Sequence, residues 1–182
     1  MDNIERIKME ISEGNRNSYS ELFKWAYPKL ITFAKSYTIA EEQCEEIASD
    51  VLIYIWFNRD KIVDIKYFKA YLYKSARNAV LNYKNRNKVK IISGDDYESI
   101  SPIVLNFTPE TAYLNSELRL LLTKAIATLP PKCKECFMLV KEEGLSYKEA
   151  AEVLGVSTKT VDAQMVIAVK KLSQILYPVL NG

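Results

Sequence analysis

The charge distribution points first to nucleic-acid binding. The segment from Lys74 to Lys90 has six basic residues and no acidic one. At helical spacing, one side of this segment carries Lys74, Arg77, Asn78, Asn82, Lys84, Asn85 and Arg86. Cations of this kind follow phosphates, while asparagine amides and nearby aromatic rings bind unstacked bases. We therefore predict a surface for single-stranded DNA, with a solvated basic helix face as the common alternative.

The segment just upstream has the opposite charge. Residues 41–50 include five acids and no base. Four side chains share one face at helical spacing: Glu42, Glu45, Glu46 and Ser49. The predicted buried side comprises Cys44, Ile47, Ala48, Val51, Leu52, Tyr54 and Ile55. Such an acidic face suits a basic partner protein, although a solubilising helix surface has the same composition.

A third candidate surface lies near the end of the chain. Ser146 and Glu149 have the spacing of a capping box, and Gly155 is placed to end the short helix that this box begins. Ser157 can then cap a second helix with an apolar face of Val161, Met165, Ala168 and Leu172. This is the pattern of a helix-turn-helix, whose second helix enters the DNA major groove. Glycine-linked helix pairs also occur in unrelated folds, so the pattern alone leaves that alternative open. The predicted contact residues are Ser157, Thr158, Lys159, Thr160, Asp162, Ala163 and Gln164.

Most catalytic and metal chemistry is disfavoured. The chain has no histidine and three cysteines, so the usual proton shuttle is missing and a structural zinc site lacks a fourth ligand. Cys133 and Cys136 form a lone CxxC, in which we expect Cys136 to be a small buried hydrophobe and Cys133 to lie nearer the surface. The paired carboxylates lie on a helix surface, and there is no glycine-rich phosphate loop. We predict a protein that is not an enzyme and has no cofactor or metal.

Apolar residues recur at three- and four-residue spacing through most of the chain, which predicts an all-α fold. We expect a first domain over 1–88, with helices near 3–13, 19–38, 40–57 and 65–86, and with Pro28 bending or interrupting the second. A linker should cover 89–110, where the helical period is lost. A second domain over 111–182 should contain four helices. No apolar run is long enough to cross a membrane, so we expect a cytoplasmic protein that is not inserted in a membrane.

Three blocks, in this order, resemble the extracytoplasmic-function sigma factors of the sigma-70 family. They are CEEIASDVLIYIW, YFKAYLYKSARNAVLNYKNRNK and LPPKCKECFMLVKEEGLSYKEAAEVLGVSTKTVDAQMVIAVKKL. The resemblance implies a sigma-2-like domain and a sigma-4-like helix-turn-helix domain joined by a flexible linker. It also implies a subunit that binds core RNA polymerase and directs promoter-specific transcription initiation without catalysis of its own.

The resemblance also implies roles for particular residues. The β′ clamp of the polymerase would be bound by Glu45, Glu46, Ser49 and Asp50. Asn78 and Asn82, with Lys74 and Arg77 close by, would capture flipped bases of the −10 element's non-template strand, together with the loop 58–66. The −35 element would be read as duplex by residues 157–167, whose later outward positions are Val166 and Ile167, while residues around 118–139 would contact the β-flap.

Further partners follow from the same resemblance. Members of the family are often held inactive by an anti-sigma factor, commonly membrane-anchored, so we expect such a partner here. The segment TVDAQM is most similar to members from Bacteroidetes-type bacteria. Two other interpretations stay open on the residues alone. One is a conventional helix-turn-helix regulator that acts without being a polymerase subunit, and the other is an interaction module that binds polymerase but reads no DNA.

Overall fold

The computed structural model describes residues 3–37, 39–90 and 116–180, with side chains described except at 87–90, 116–119 and 178–180. Within these ranges the secondary structure is helical, as predicted. The α-helices are α1 (Asn3–Ser12), α2 (Arg16–Lys35), α3 (Glu41–Phe57), α4 (Phe68–Lys90), α5 (Ser116–Ala127), α6 (Pro131–Phe137), α7 (Tyr147–Leu154) and α8 (Thr158–Leu180). A 3-10 turn (Ile62–Asp64) precedes α4, and a π-helical turn (Met138–Glu142) follows α6.

The chain divides into two compact units, Met1–Ser99 and Ile100–Gly182. The predicted linker at 89–110 lies largely outside the described residues, and α4 continues through its first two positions to Lys90. In the first unit, α2 begins at Arg16, three residues before its predicted start. The reason is Asn15, whose side-chain oxygen accepts hydrogen bonds from the backbone N–H groups of Asn17 (2.9 Å) and Ser18 (3.2 Å). The helix continues through Pro28 without interruption.

The core of the first unit positions α4. Phe33 of α2 and Tyr73 of α4 meet edge to face, with ring centroids 5.3 Å apart. Leu72 of α4 and Leu52 of α3 are also fully buried. Burial of each such side chain contributes about 2 kcal/mol, which is a substantial fraction of the net stability of a small domain. This packing fixes one face of α4 inward and leaves the opposite face to solvent.

The second unit contains the predicted helix-turn-helix. The hydroxyl of Ser146 accepts from the backbone N–H of Glu149 (3.2 Å), and the Glu149 carboxylate accepts from the backbone N–H of Ser146 (2.8 Å). Gly155 ends α7 in the left-handed conformation, at φ 67°, which a side chain would disfavour. Ser157 then accepts from the N–H of Thr160 (3.0 Å) and caps α8. The described helices include none that is long and apolar enough to cross a membrane.

The capping box makes a stability prediction. Ser146→Ala removes the acceptor for the Glu149 N–H and the hydroxyl that pairs with the Glu149 carboxylate. The free energy of opening α7 should therefore fall by about 1 kcal/mol. Amide hydrogen exchange across α7 measures this loss directly. Ser146→Thr keeps a hydroxyl at the same position and should exchange nearly as slowly as the unsubstituted protein. Equal exchange in the alanine variant and the unsubstituted protein would show that the box does not hold α7.

Candidate nucleic-acid and protein interfaces

The predicted DNA-binding side chains of α4 do not all share one environment. Lys74, Asn78 and Asn82 are exposed and recur every four residues along the outward face. Arg77 is half-buried beside them. Lys84 is also half-buried, and its ammonium group donates to the carbonyl of Tyr37 (2.8 Å), just after the end of α2. The structure therefore places Lys84 as a link between α4 and α2, separate from the exposed row.

The acidic side of α3 is exposed as predicted. Glu45, Glu46 and Asp50 are exposed, and Ser49 is half-buried. The same face continues toward the C-terminus of α3 with apolar side chains: Ile53 is 46% exposed, Tyr54 53% and Phe57 74%. The surface thus changes from acidic to apolar along one helix.

The prediction that Tyr54 belongs to the buried side was wrong. Its neighbours Leu52 and Ile55 fill the core, whereas Tyr54 lies four residues after the exposed Asp50 and so shares its side of the helix. Its hydroxyl is hydrogen-bonded to that of Tyr71, and burial first and then this neighbour raise the pKa of Tyr71. Extending the acidic face by three- and four-residue steps from Asp50 would have found Ile53, Tyr54 and Phe57.

A groove of about 350 Å³ separates α3 from α4. Glu46 and Asp50 line one wall, and Asn82 and Arg86 line the other. The first half of α3 meets the second half of α4 here, and Tyr54 near the end of α3 contacts Tyr71 near the start of α4, so the two helices run in opposite directions. The candidate protein-binding face and the candidate DNA-binding face therefore adjoin at this groove.

The loop between α3 and α4 is held from two sides. The ammonium group of Lys8, on α1, is buried and donates to the carbonyl of Ile65 (2.9 Å) while pairing with Glu5 (2.6 Å). Ile62 is buried in the core. At the start of the loop, the guanidinium of Arg59 lies over the Trp56 ring, 5.0 Å from its centroid. These contacts give the loop a defined position next to the beginning of α4.

On α8, most of the predicted contact residues are exposed. They are Ser157, Thr158, Lys159, Thr160, Asp162 and Ala163. Gln164 differs, since it is half-buried and its side-chain oxygen accepts from the thiol of Cys133 on α6 (2.9 Å). Val166 is 61% and Ile167 41% exposed, one turn further along the helix. The structure thus turns Gln164 toward α6 and leaves two aliphatic side chains facing solvent.

All three cysteines are buried free thiols, so the expectation that Cys133 lies nearer the surface was wrong. Burial raises the pKa of Cys44 and of Cys136 to about 11, and it raises the pKa of Cys133 as well. Within the described ranges, no cluster of three or more histidine, cysteine, aspartate or glutamate side chains could hold a metal ion. The thiols therefore have the environment of structural cysteines.

Comparison with known families separates the two units in the same way as the fold. Residues 22–89 match the family model for sigma-70 region 2, which spans most of α2 through α4. Residues 119–172 match the model for sigma-70 region 4, which includes the helix-turn-helix. The chain belongs to the sigma-70 family. As a sigma factor, it associates with core RNA polymerase and promoter DNA and directs promoter-specific initiation.

Curated relatives place this sigma factor in the extracytoplasmic-function group. It is 22% identical over 175 residues to RNA polymerase sigma factor NccH of Alcaligenes xylosoxydans xylosoxydans, with 94% of each chain covered. It is 26% identical over 132 residues to the ECF RNA polymerase sigma factor SigM of Bacillus subtilis, covering 72% of this chain and 76% of SigM. Its fold is similar to that of the sigma factor RpoE, solved in complex with the anti-sigma factor NepR from Bartonella quintana. That match has a TM-score of 0.68 and 23% identity and covers 90% of this chain and 98% of the other.

The thiol environments predict slow modification. With a pKa of about 11 at Cys44 and Cys136, few thiolates exist at about pH 8, so alkylation by iodoacetamide should be more than about 100-fold slower than for a free cysteine. In urea, all three cysteines should react at similar rates. A rapidly alkylated cysteine in the native protein, located by peptide mass spectrometry, would contradict the assignment of all three as structural.

Proposed function

We propose that the two units divide promoter recognition between them. The first, over about 1–88, binds the β′ clamp through α3 and captures the melted −10 element through α4 and the loop 58–66. The second, over about 111–182, reads the −35 duplex through α8, while its earlier helices contact the β-flap. The observation that carries this proposal is the adjacency of an acidic face on α3 and a row of exposed cations and amides on α4.

The row on α4 suits single-stranded DNA. Lys74 contributes a cation for phosphate, and Asn78 and Asn82 each present an amide with two donors and one acceptor oxygen. Bases expose their base-pairing edge to such amides only when they leave the duplex. Binding the unstacked strand stabilises the melted state, so the sigma factor shifts the opening equilibrium without consuming ATP. Lys84 stabilises the position of this surface, because its hydrogen bond to the Tyr37 carbonyl links α4 to the end of α2.

The polymerase-binding surface combines charge with apolar area. Glu45, Glu46 and Asp50 attract a basic partner, and the half-buried Ser49 lies among them. Ile53 and Phe57 extend the same side of α3 and offer apolar contact area that the acids lack. Desolvated aromatic and aliphatic side chains supply most of the binding energy at protein interfaces, while rim charges mainly fix orientation. We assign both parts of this face to the β′ clamp.

Regulation and cellular location complete the proposal. The similar RpoE fold was solved in complex with an anti-sigma factor, and we propose that an anti-sigma factor, membrane-anchored or not, also controls this protein. Since core polymerase and chromosomal promoters are in the cytoplasm, we place the protein there. We also propose, from TVDAQM, that it belongs with Bacteroidetes-type members of the group. A regulator acting without polymerase is not favoured, because both polymerase-associated regions match.

Two sets of variants should separate the two surfaces. Asn78→Ala or Lys74→Ala should reduce open-complex formation by about tenfold, the equivalent of one lost pair of hydrogen bonds, while polymerase affinity stays within about twofold. The pair Glu46→Gln with Asp50→Asn should instead weaken polymerase binding by at least about tenfold. Permanganate footprinting measures opening, and fluorescence anisotropy with labelled protein measures polymerase affinity.

Matched controls come from exposed residues elsewhere in the chain. Lys24→Ala on α2 removes an exposed cation, and Glu152→Gln on α7 removes an exposed acid. Neither change should affect opening or polymerase binding by more than about twofold. Equal loss of opening and polymerase binding in the Asn78 variant would contradict a DNA-contacting role for α4. Unchanged polymerase affinity in the Glu46 and Asp50 variant would remove the acidic part of α3 from the polymerase interface.

A further inference from the structure

The outermost line of α8 has an apolar centre between two lysines. Val161, Met165, Ala168 and Leu172 are buried, which fixes the opposite side of the helix as its outer face. Within residues 159–170, five exposed side chains lie closest to that outer line: Lys159, Ala163, Val166, Ile167 and Lys170. The polar side chain of Gln164 is turned aside to Cys133. The centre of the outer face therefore offers methyl groups and no hydrogen-bonding side chain.

The spacing of the two lysines matches the major groove. Lys159 and Lys170 are separated by eleven residues, which is about 16 Å along a helix. The major groove of B-DNA is about 12 Å wide. With their flexible stems, the two ammonium groups can reach phosphates on opposite sides of the groove. In that position the apolar centre lies over the base edges between them.

Only one base presents an apolar group in the major groove. Thymine carries a C5-methyl there, whereas the other edges consist of hydrogen-bond donors and acceptors. Aliphatic side chains leave such donors and acceptors unsatisfied, which is unfavourable once water is excluded. Ala163, as the smallest side chain of the line, allows the helix to approach closely. This apolar face therefore favours thymine over the other bases through contact with the thymine methyl group.

We propose that α8 selects its −35 element chiefly through thymine methyl groups that contact Val166 and Ile167, with Lys159 and Lys170 bound to flanking phosphates. This inference rests on the proposed function and adds the class of sequence that the second unit prefers. An apolar helix face would also suit a protein partner. The lysines at both ends favour DNA, since residues 157–172 include three lysines and one acid, Asp162.

The test replaces thymine by uracil, which removes the methyl group and keeps the hydrogen-bonding pattern. Short randomised duplexes are selected on the full-length protein at low salt, and the enriched sequence is then synthesised with thymine or with uracil at each position. Uracil at the contacted positions should weaken binding roughly fourfold per methyl group lost. The variant with Val166→Ala and Ile167→Ala should bind both duplexes equally. Val169→Ala changes an exposed valine off the outer line and should preserve the preference for thymine.

Three results would overturn the proposal. They are equal affinity of the unsubstituted protein for thymine and uracil duplexes, an undiminished preference in the Val166 and Ile167 variant, and selection that enriches no sequence. The unsubstituted protein could bind thymine and uracil duplexes equally while the Val166 and Ile167 variant loses polymerase-dependent transcription. The apolar face of α8 would then be a protein contact. Because duplex selection needs no polymerase, its failure is distinguishable from failure of the sigma-factor function itself.

Discussion

The burial of one face of α4 decides which of its side chains can meet DNA. Leu72, Tyr73 and Val80 are fixed inward against α2 and α3, and rotation of the helix would expose these apolar groups at a cost of about 2 kcal/mol each. The row that contains Asn78 therefore faces outward whether or not DNA is present. Because the row is already ordered, binding of the DNA strand does not have to include the entropic cost of ordering α4.

The same packing places the candidate polymerase-binding surface of α3 next to the candidate DNA-binding surface of α4. The groove with Asp50 on one wall and Arg86 on the other joins the acidic and basic faces within a single helix pair. Carboxylates next to a phosphate-binding surface oppose DNA binding until a basic partner neutralises them. This arrangement gives a physical reason for a promoter-recognition subunit to act on DNA only as part of the polymerase. The second unit carries only three lysines on α8, so its binding to duplex DNA should be weak and favoured by low salt.

Local patterns were enough to predict the helices, because caps, glycines and apolar spacing act within a few residues. Asn15, Ser146 and Gly155 illustrate this, although the cap at Asn15 was not used to place the start of α2. Long-range contacts could not be predicted in this way. The carbonyl that binds Lys84 is 47 residues away, and the thiol that binds Gln164 is 31 residues away. Both residues were predicted to contact DNA from their position on a helix, and their observed partners lie in distant parts of the chain, one just after α2 and one on α6.

The most direct test of the whole account is run-off transcription with purified core RNA polymerase from the source bacterium, on sheared genomic DNA, with and without the protein. Initiation directed by this sigma factor predicts new, discrete 5′ ends that appear only when the protein is added, with a shared pair of sequence elements upstream. Absence of any protein-dependent transcript, together with tight binding of duplex DNA in the absence of polymerase, would contradict it.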